Sequence, residues 1–284
     1  MANGAPDTYV SLTGEREDRR LDFQNRALAR FDADVYARVL GKSDCPAVLD
    51  VGCGSGGMLR SVLPKGQACR LVGVDEMGRQ LELARRAFPD AVFVEADVEA
   101  DSFVSRVREA MAGVGVDGFD VISCSMVLLH LHDPLRALER LHALMAPGAA
   151  IVVRDVDDGV GFAWPDPDGR VARYFDILDR DARMGDRRFG RKAFALLRRA
   201  GYANVRIERQ GLTTADVDDP MDLYRMAFPT MLDYVERRHR EAPGNDEWAR
   251  DYAWFRDNIA AIRRAFEADD FVFSPGFMSL TATA

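Results

Sequence analysis

The sequence predicts an α/β protein: a mostly parallel sheet with helices on both faces. Three observations carry that expectation. Strand-type and helix-type patterns alternate from Ala47 to Arg209, as they do when strands are joined by crossover helices. The stretch 149–154 is almost wholly apolar, as a strand covered on both faces must be. Finally, a strand pattern, Val48-Leu49-Asp50-Val51, runs into Gly52-Cys53-Gly54-Ser55-Gly56-Gly57 before a helical stretch opens at Met58. Glycines so spaced allow a tight turn and let backbone approach a ligand, while the helix turns unpaired amides toward the same crevice.

Taken in order, residues 1–40 read as an N-terminal helical arm, with Leu21, Leu28, Phe31, Val35 and Val39 near helical spacing. The sheet domain spans 41–214. After the glycine turn, strands are expected at 71–75 and 91–97 and helices over 58–63, 77–88 (closed by Pro89) and 101–112. A fourth strand ends near Ser125. Asp133 then caps a helix over 133–145, with Pro134 at its first position and Pro147-Gly148 as its stop. The apolar strand 149–154 is followed by an insertion, about 157–184, that holds Phe162, Trp164 and the amphipathic run Val171 to Leu178. A helix over 190–197 stops at Gly201, and a strand follows over 203–208. Residues 215–270 are helical in pattern and rich in charge and aromatics; residues 271–284 hold the last strand, 276–283. The arm and both insertions are expected to fold as a lid over the crevice beyond the carboxyl ends of the strands.

Composition narrows the classes. The chain has 284 residues, is 48% hydrophobic and carries a formal net charge of −8, enough apolar content for a sizeable core and the wrong sign for gripping nucleic acid. Basic clusters such as Arg187-Arg188 and Arg191-Lys192 alternate with Asp181 and Asp186 and read as solvated helix faces. The four cysteines show no metal-ligand spacing and fit reduced thiols. Met1 to Asp7 lack a basic start and apolar core, and no apolar run approaches about 18 residues, which points to a cytoplasmic protein without a membrane partner.

Gly52, Gly54 and Gly57 also satisfy the spacing of a dinucleotide loop, so the acids around them decide the ligand. A pyrophosphate tolerates a neighbouring carboxylate poorly. A sulfonium with an ammonium, as in S-adenosylmethionine, is suited by Asp50. The next strand ends at Asp75, about 20 residues on, at the spacing of a ribose-hydroxyl acceptor. The third ends at Asp97, where an acid can accept from an adenine amino group.

With these residues the chain resembles the class I S-adenosylmethionine-dependent methyltransferases. The likeness rests on LDVGCGSGG (49–57), LVGVDEM (71–77), VEADVEA (94–100), FDVISCSMVLLHLHDP (119–134) and LMAPGAAIVVRDVDDG (144–159), five blocks in the family's order. The resemblance implies a seven-stranded, mostly parallel Rossmann-like sheet. It implies that Gly52, Gly54 and Gly56 cradle the methionine moiety, that Asp75 takes the ribose hydroxyls, that Glu76 and Met77 flank the adenine, and that Asp97 and Val98 read its edge, with Ser125 also on the cofactor side. The arm is similar to one that closes on the cofactor's amino-acid end in some bacterial small-molecule methyltransferases, making Tyr9, Arg20 and Gln24 candidates for its carboxylate.

Methyl transfer from a sulfonium is an in-line displacement whose main demand is positioning, which can supply about 7–11 kcal/mol. A base helps a phenol or alcohol; an amine need only be unprotonated. The resemblance puts the acceptor after the fourth strand, at Met126 and His130; many relatives read His-His where this chain has Leu129-His130. His130 is therefore open as a base or as a structural residue. Arg154, Asp155 and Asp157, with Asp158, bring charge toward the same mouth, and the carboxylates suit an amine-bearing acceptor or a solvated loop. Phe162, Trp164, Tyr224, Met226, Phe228 and Met231 are candidates for an apolar acceptor pocket or for plain packing. The expected reaction is N- or O-methylation of a small molecule, in secondary metabolism, by a monomer or homodimer. A peptide or protein acceptor, a nicotinamide-dependent oxidoreductase and a non-catalytic sensor stay open beside it.

Overall fold

The computed structural model describes residues 15–29, 31–63 and 67–284. Two helices, α1 (Glu15–Ala29) and α2 (Ala33–Leu40), precede β1 (Ala47–Val51) and the short α3 (Gly57–Val62). The alternation continues through β2 (Arg70–Asp75), α4 (Gly78–Ala87), β3 (Val92–Glu95), α5 (Phe103–Val114), β4 (Phe119–Ser125), α6 (Pro134–His142) and β5 (Met145–Val156). Next come β6 (Phe162–Trp164), α7 (Arg170–Arg180), α8 (Gly190–Arg199) and β7 (Ala203–Gln210). Two long helices, α9 (Pro220–Glu241) and α10 (Asp246–Phe266), lead to β8 (Val272–Ser274) and β9 (Phe277–Thr283).

Seven strands form one sheet in the order β3-β2-β1-β4-β5-β9-β7. The first five run parallel, and β9 inserts antiparallel to both β5 and β7. The expected α/β architecture is the one found. Strand parity explains why its interior strands are apolar on both faces. Val48, Val121, Ala150 and Val152 pack with α2 and α3, whereas Leu49, Ile122, Ile151 and Val153 pack on the opposite face with α5, α6 and α8.

Asp133 caps α6 by accepting from the Arg136 amide, with Pro134 at the first position. The helix ends at His142, earlier than expected, because the chain is already tied to β4: the Phe119 amide donates to the Leu144 carbonyl. Pro147 and Gly148 thus fall in the opening stretch of β5 and do not stop a helix. α1 packs on α9, α9 on α10, and α10 on α7, so the arm and both insertions meet at one end of the molecule.

Candidate functional site

A cavity of about 800 Å³ runs along the carboxyl ends of β1, β2 and β4 and is walled elsewhere by α1, α7 and α9. At one end the glycine turn does the shaping. Gly52 has φ +66°, and a Cβ there would stand 2.3 Å from Val127 Cγ2, so the turn approaches the end of β4 closer than any side chain permits. Gly57 is constrained from the other side, since its Cβ would fall 2.1 Å from Asn25 Nδ2 of α1. Helix α1 therefore sits directly on the turn.

The Asp75 carboxylate is clamped at the end of β2. The Gly54 amide donates to Oδ2 and the Met77 amide to Oδ1, each at 2.8 Å. Burial raises its pKa and the two backbone bonds oppose that rise. Asp50 lines the cavity beneath the turn. Burial pushes its carboxyl up to about 7, with the Ser123 hydroxyl opposing and Asp75 reinforcing the rise. Its Oδ2 is buried without a hydrogen-bond partner among the described residues. Such an oxygen invites a cationic group or a water.

Gly52, Gly54, Glu76, Met77, Asp97 and Val98 line this end together with Arg20 and Gln24, whose side chains are joined at 2.8 Å. Asp97 also steadies its own turn by accepting from the Glu99 amide at 2.7 Å. Gly56 lies behind the turn beside Phe88 and is not part of the lining. Tyr9 falls outside the described residues. Glu99, which sequence reasoning passed over, lines the cavity and accepts from the amides of His132 (3.2 Å) and Asp133 (2.7 Å).

The opposite end is apolar and aromatic. Ser125, Met126 and His130 reach it from β4 and the turn after it; Tyr174 and Phe175 come from α7, and Phe277 from β9. Met126 holds φ +60°, an uncommon conformation for a long side chain and one that concentrates at functional sites. Met226, Ala227, Thr230, Met231 and Tyr234 form one face of α9 toward the cavity. Burial, reinforced by Arg187 and Arg20, lowers the His130 pKa to about 4, so its imidazole is neutral at pH 7.

Several expected acceptor residues stand elsewhere. Arg154 shares strand parity with Val152 and so points under α1–α3, where it is 1% exposed. There it donates to Asp32 Oδ2 (3.1 Å), Ser125 Oγ (2.5 Å) and the Leu28 carbonyl (3.5 Å). Asp155 lies on the other face, fully buried, accepting from the Leu129 amide at 3.3 Å; burial pushes its carboxyl up to about 8. Asp157 is bound by Arg191 through Nε and Nη2, and Asp158 by Arg187 through Nε (2.8 Å) and Nη2 (3.0 Å). None of these carboxylates lines the cavity. Arg187 and Arg191, which neutralise Asp158 and Asp157, come from the turn into α8 and its first residues, where the sequence showed only a solvated basic face.

Phe162 and Trp164 belong to a two-stranded ribbon, β6 with β8, and are 47% and 72% exposed, away from the cavity. Tyr224 and Phe228 occupy the far face of α9, stacked at 5.8 Å between ring centroids and packed against Phe266. They are core. Arg183, Met184 and Arg187, unmarked as site residues by any sequence motif, line the cavity instead.

The profile of a methyltransferase domain matches residues 21–207. The chain is 33% identical over 118 residues to a ubiquinone biosynthesis O-methyltransferase of Azotobacter vinelandii, covering 42% of this chain and 46% of that one. It is 34% identical over 98 residues to a trans-aconitate 2-methyltransferase of Enterobacter sp., covering 34% of each. The chain thus spans less than half the length of these curated relatives. Among solved structures, the plantazolicin methyltransferase BamL, in complex with a triazolic desmethylPZN analog and SAH, superposes with a TM-score of 0.52. The match covers 94% of this chain and 87% of that one at 13% identity, a likeness of fold.

Proposed function

The chain belongs to the methyltransferase-domain family, and from that premise we propose that it moves a methyl group from S-adenosylmethionine to a small-molecule acceptor, releasing S-adenosylhomocysteine. The observation that carries the reading is the Asp75 carboxylate, clamped by the Gly54 and Met77 amides at the head of a cavity that continues into an apolar chamber.

The residues at the glycine turn fit the donor. Each Asp75 oxygen keeps a lone pair beyond its amide bond, as an acceptor of two ribose hydroxyls requires. The unpartnered Oδ2 of Asp50 is an acceptor that a cationic ligand group beside it would draw into its charged form. A dinucleotide's pyrophosphate would meet repulsion from Asp75 and Glu76. When bound, the sulfonium supplies a methyl carbon already activated for displacement. The chain's own part is to hold, align and exclude water. Arg20, Gln24 and Asn25 of α1 close the turn from above, while α7 and α9 wall the acceptor chamber; together they act as the lid.

His130 serves this reaction as a neutral hydrogen-bonding and shaping group. An imidazole held near 4 is poorly matched to removing a proton at neutral pH. Glycine-turn and chamber residues thus divide the work, the first binding the donor and the second placing the acceptor. Incubation with S-adenosylmethionine labelled in its methyl group and a panel of metabolites tests the proposal. Label should pass to a small molecule. Binding of S-adenosylhomocysteine without any transfer across a broad panel would favour a sensor.

A further inference from the structure

The carboxylates are segregated along the cavity. The carboxylates that line it (Asp50, Asp75, Glu76, Asp97 and Glu99) all lie at or just after the ends of β1, β2 and β3. Arg183 and Arg187 line the acceptor end, and His130 and Tyr174 there both stand in the field of Arg187 and Arg20. The acids expected to grip an amine are absent from this end, because Asp157 and Asp158 are bound by Arg191 and Arg187.

Arg187 is built in rather than mobile. Its side chain is 13% exposed and its Nε and Nη2 are fixed by the Asp158 carboxylate, itself 3% exposed. That pairing orients the guanidinium plane and leaves Nη1 outside it. A planar fork so held is suited to a flat oxyanion. Tyr174, which stands in the field of Arg187, and Phe175, Tyr234 and Phe277 line the same cavity and suit an aromatic body.

Resting on the methyltransferase reading above, we infer that the acceptor is an aromatic small molecule presenting an oxyanion, a carboxylate or acidic phenol, to Arg187, and that methylation falls on oxygen. An acceptor oxygen lone pair forms the new bond to the methyl carbon. The carbon–sulfur bond breaks, and its electron pair returns to sulfur. One negative and one positive charge cancel, giving a neutral methyl ester or ether and a neutral thioether. No proton moves, so the step does not call on His130, whose buried imidazole is a weak base. An ammonium-bearing acceptor would meet Arg183 and the outer edge of Arg187, with no lining carboxylate among the described residues at this end, and be disfavoured.

The test is calorimetry on the full chain saturated with S-adenosylhomocysteine, using matched aromatic carboxylates, phenols, amides and amines of graded size. The carboxylates or phenols should bind at least about tenfold tighter than their amine and amide counterparts. Whichever of the two wins identifies the oxyanion, and labelled donor should convert that compound to an ester or an ether. In Arg187→Gln with Asp158→Asn, a pair changed together so that no lone charge is left buried, the preference should disappear while S-adenosylhomocysteine affinity stays near wild type. Equal or tighter binding of the amines, a preference that survives the double variant, or no anion binding at all would overturn the inference and leave the donor reading standing. Failure to bind S-adenosylhomocysteine would overturn both.

Discussion

The two ends of the cavity are made in different ways. The donor end is assembled from strand termini and the turns right after them: Asp50 beside Gly52, and Asp75 capped by an amide two residues on. The acceptor end draws on β4, α7, α9 and β9, segments separated by as much as half the chain. Their charged residues differ as well: the lining carboxylates gather at one end, with Arg20 beside them, and Arg183 and Arg187 line the other. On the proposed reading, that difference would let one cavity seat a cationic donor and an anionic acceptor at separate ends.

The comparison breaks most severely at the support both ends share. Arg154 and Asp32, 1% and 0% exposed, join β5 to the α1–α2 junction. Arg154→Met leaves Asp32 alone in the core and should cost about 3–5 kcal/mol of stability by urea unfolding. Adding Asp32→Leu should restore much of the loss, because burial already raises the Asp32 pKa in spite of Arg154. A single variant as stable as wild type would remove the pair from this role.

A smaller change isolates the donor end. Asp75→Ala should weaken S-adenosylhomocysteine binding by roughly 1.5–3 kcal/mol in calorimetry and leave any anion preference of the acceptor end intact. Unchanged donor affinity would contradict the assignment of Asp75.

A pH series probes the floor between the ends. Asp155 holds its proton to about pH 8 when folded, whereas an unfolded aspartate loses it near pH 4. The folded state therefore binds the extra proton across that window, and its stability contribution, complete below about pH 4, is lost as pH rises toward 8. Asp155→Asn keeps an acceptor for the Leu129 amide and should flatten that decline; an identical slope would count against a neutral buried Asp155. The smallest effect belongs to His130→Ala. Donor affinity should stay near wild type, with turnover reduced through a looser chamber and no new pH dependence between pH 6 and 8, where a working base near pH 7 would show one.

The donor end was legible because its chemistry is local. A strand, an acid and spaced glycines dictate their own geometry, and Gly52, Asp75 and Asp97 stand where their spacing placed them in the cavity lining. The sheet was legible for a similar reason, through alternating periods and the apolar run of β5. Gly56 falls outside the lining, a distinction hidden in the sequence, where several glycines in one turn look alike although only some face the cavity. The acceptor end was largely hidden. Asp157 and Asp158 looked available because their partners, Arg191 and Arg187, sit 34 and 29 residues on. Two acids answered by two arginines was the one signal on offer, and it was read as surface charge. Arg154 was misplaced for want of parity: counting in twos from Val152 puts it on the α2–α3 face. On α9, a step of four residues from Tyr224 to Phe228 marked a buried face, while the cavity face one residue pair further around carried the site.

The claim on which the rest depends is that the glycine turn holds a sulfonium nucleoside. Titrating the full chain with S-adenosylmethionine and, separately, with NAD tests it most directly. Saturable binding of the sulfonium compound, weakened by Asp75→Ala, with no measurable uptake of NAD is the expected outcome; tight binding of NAD with none of S-adenosylmethionine would contradict it.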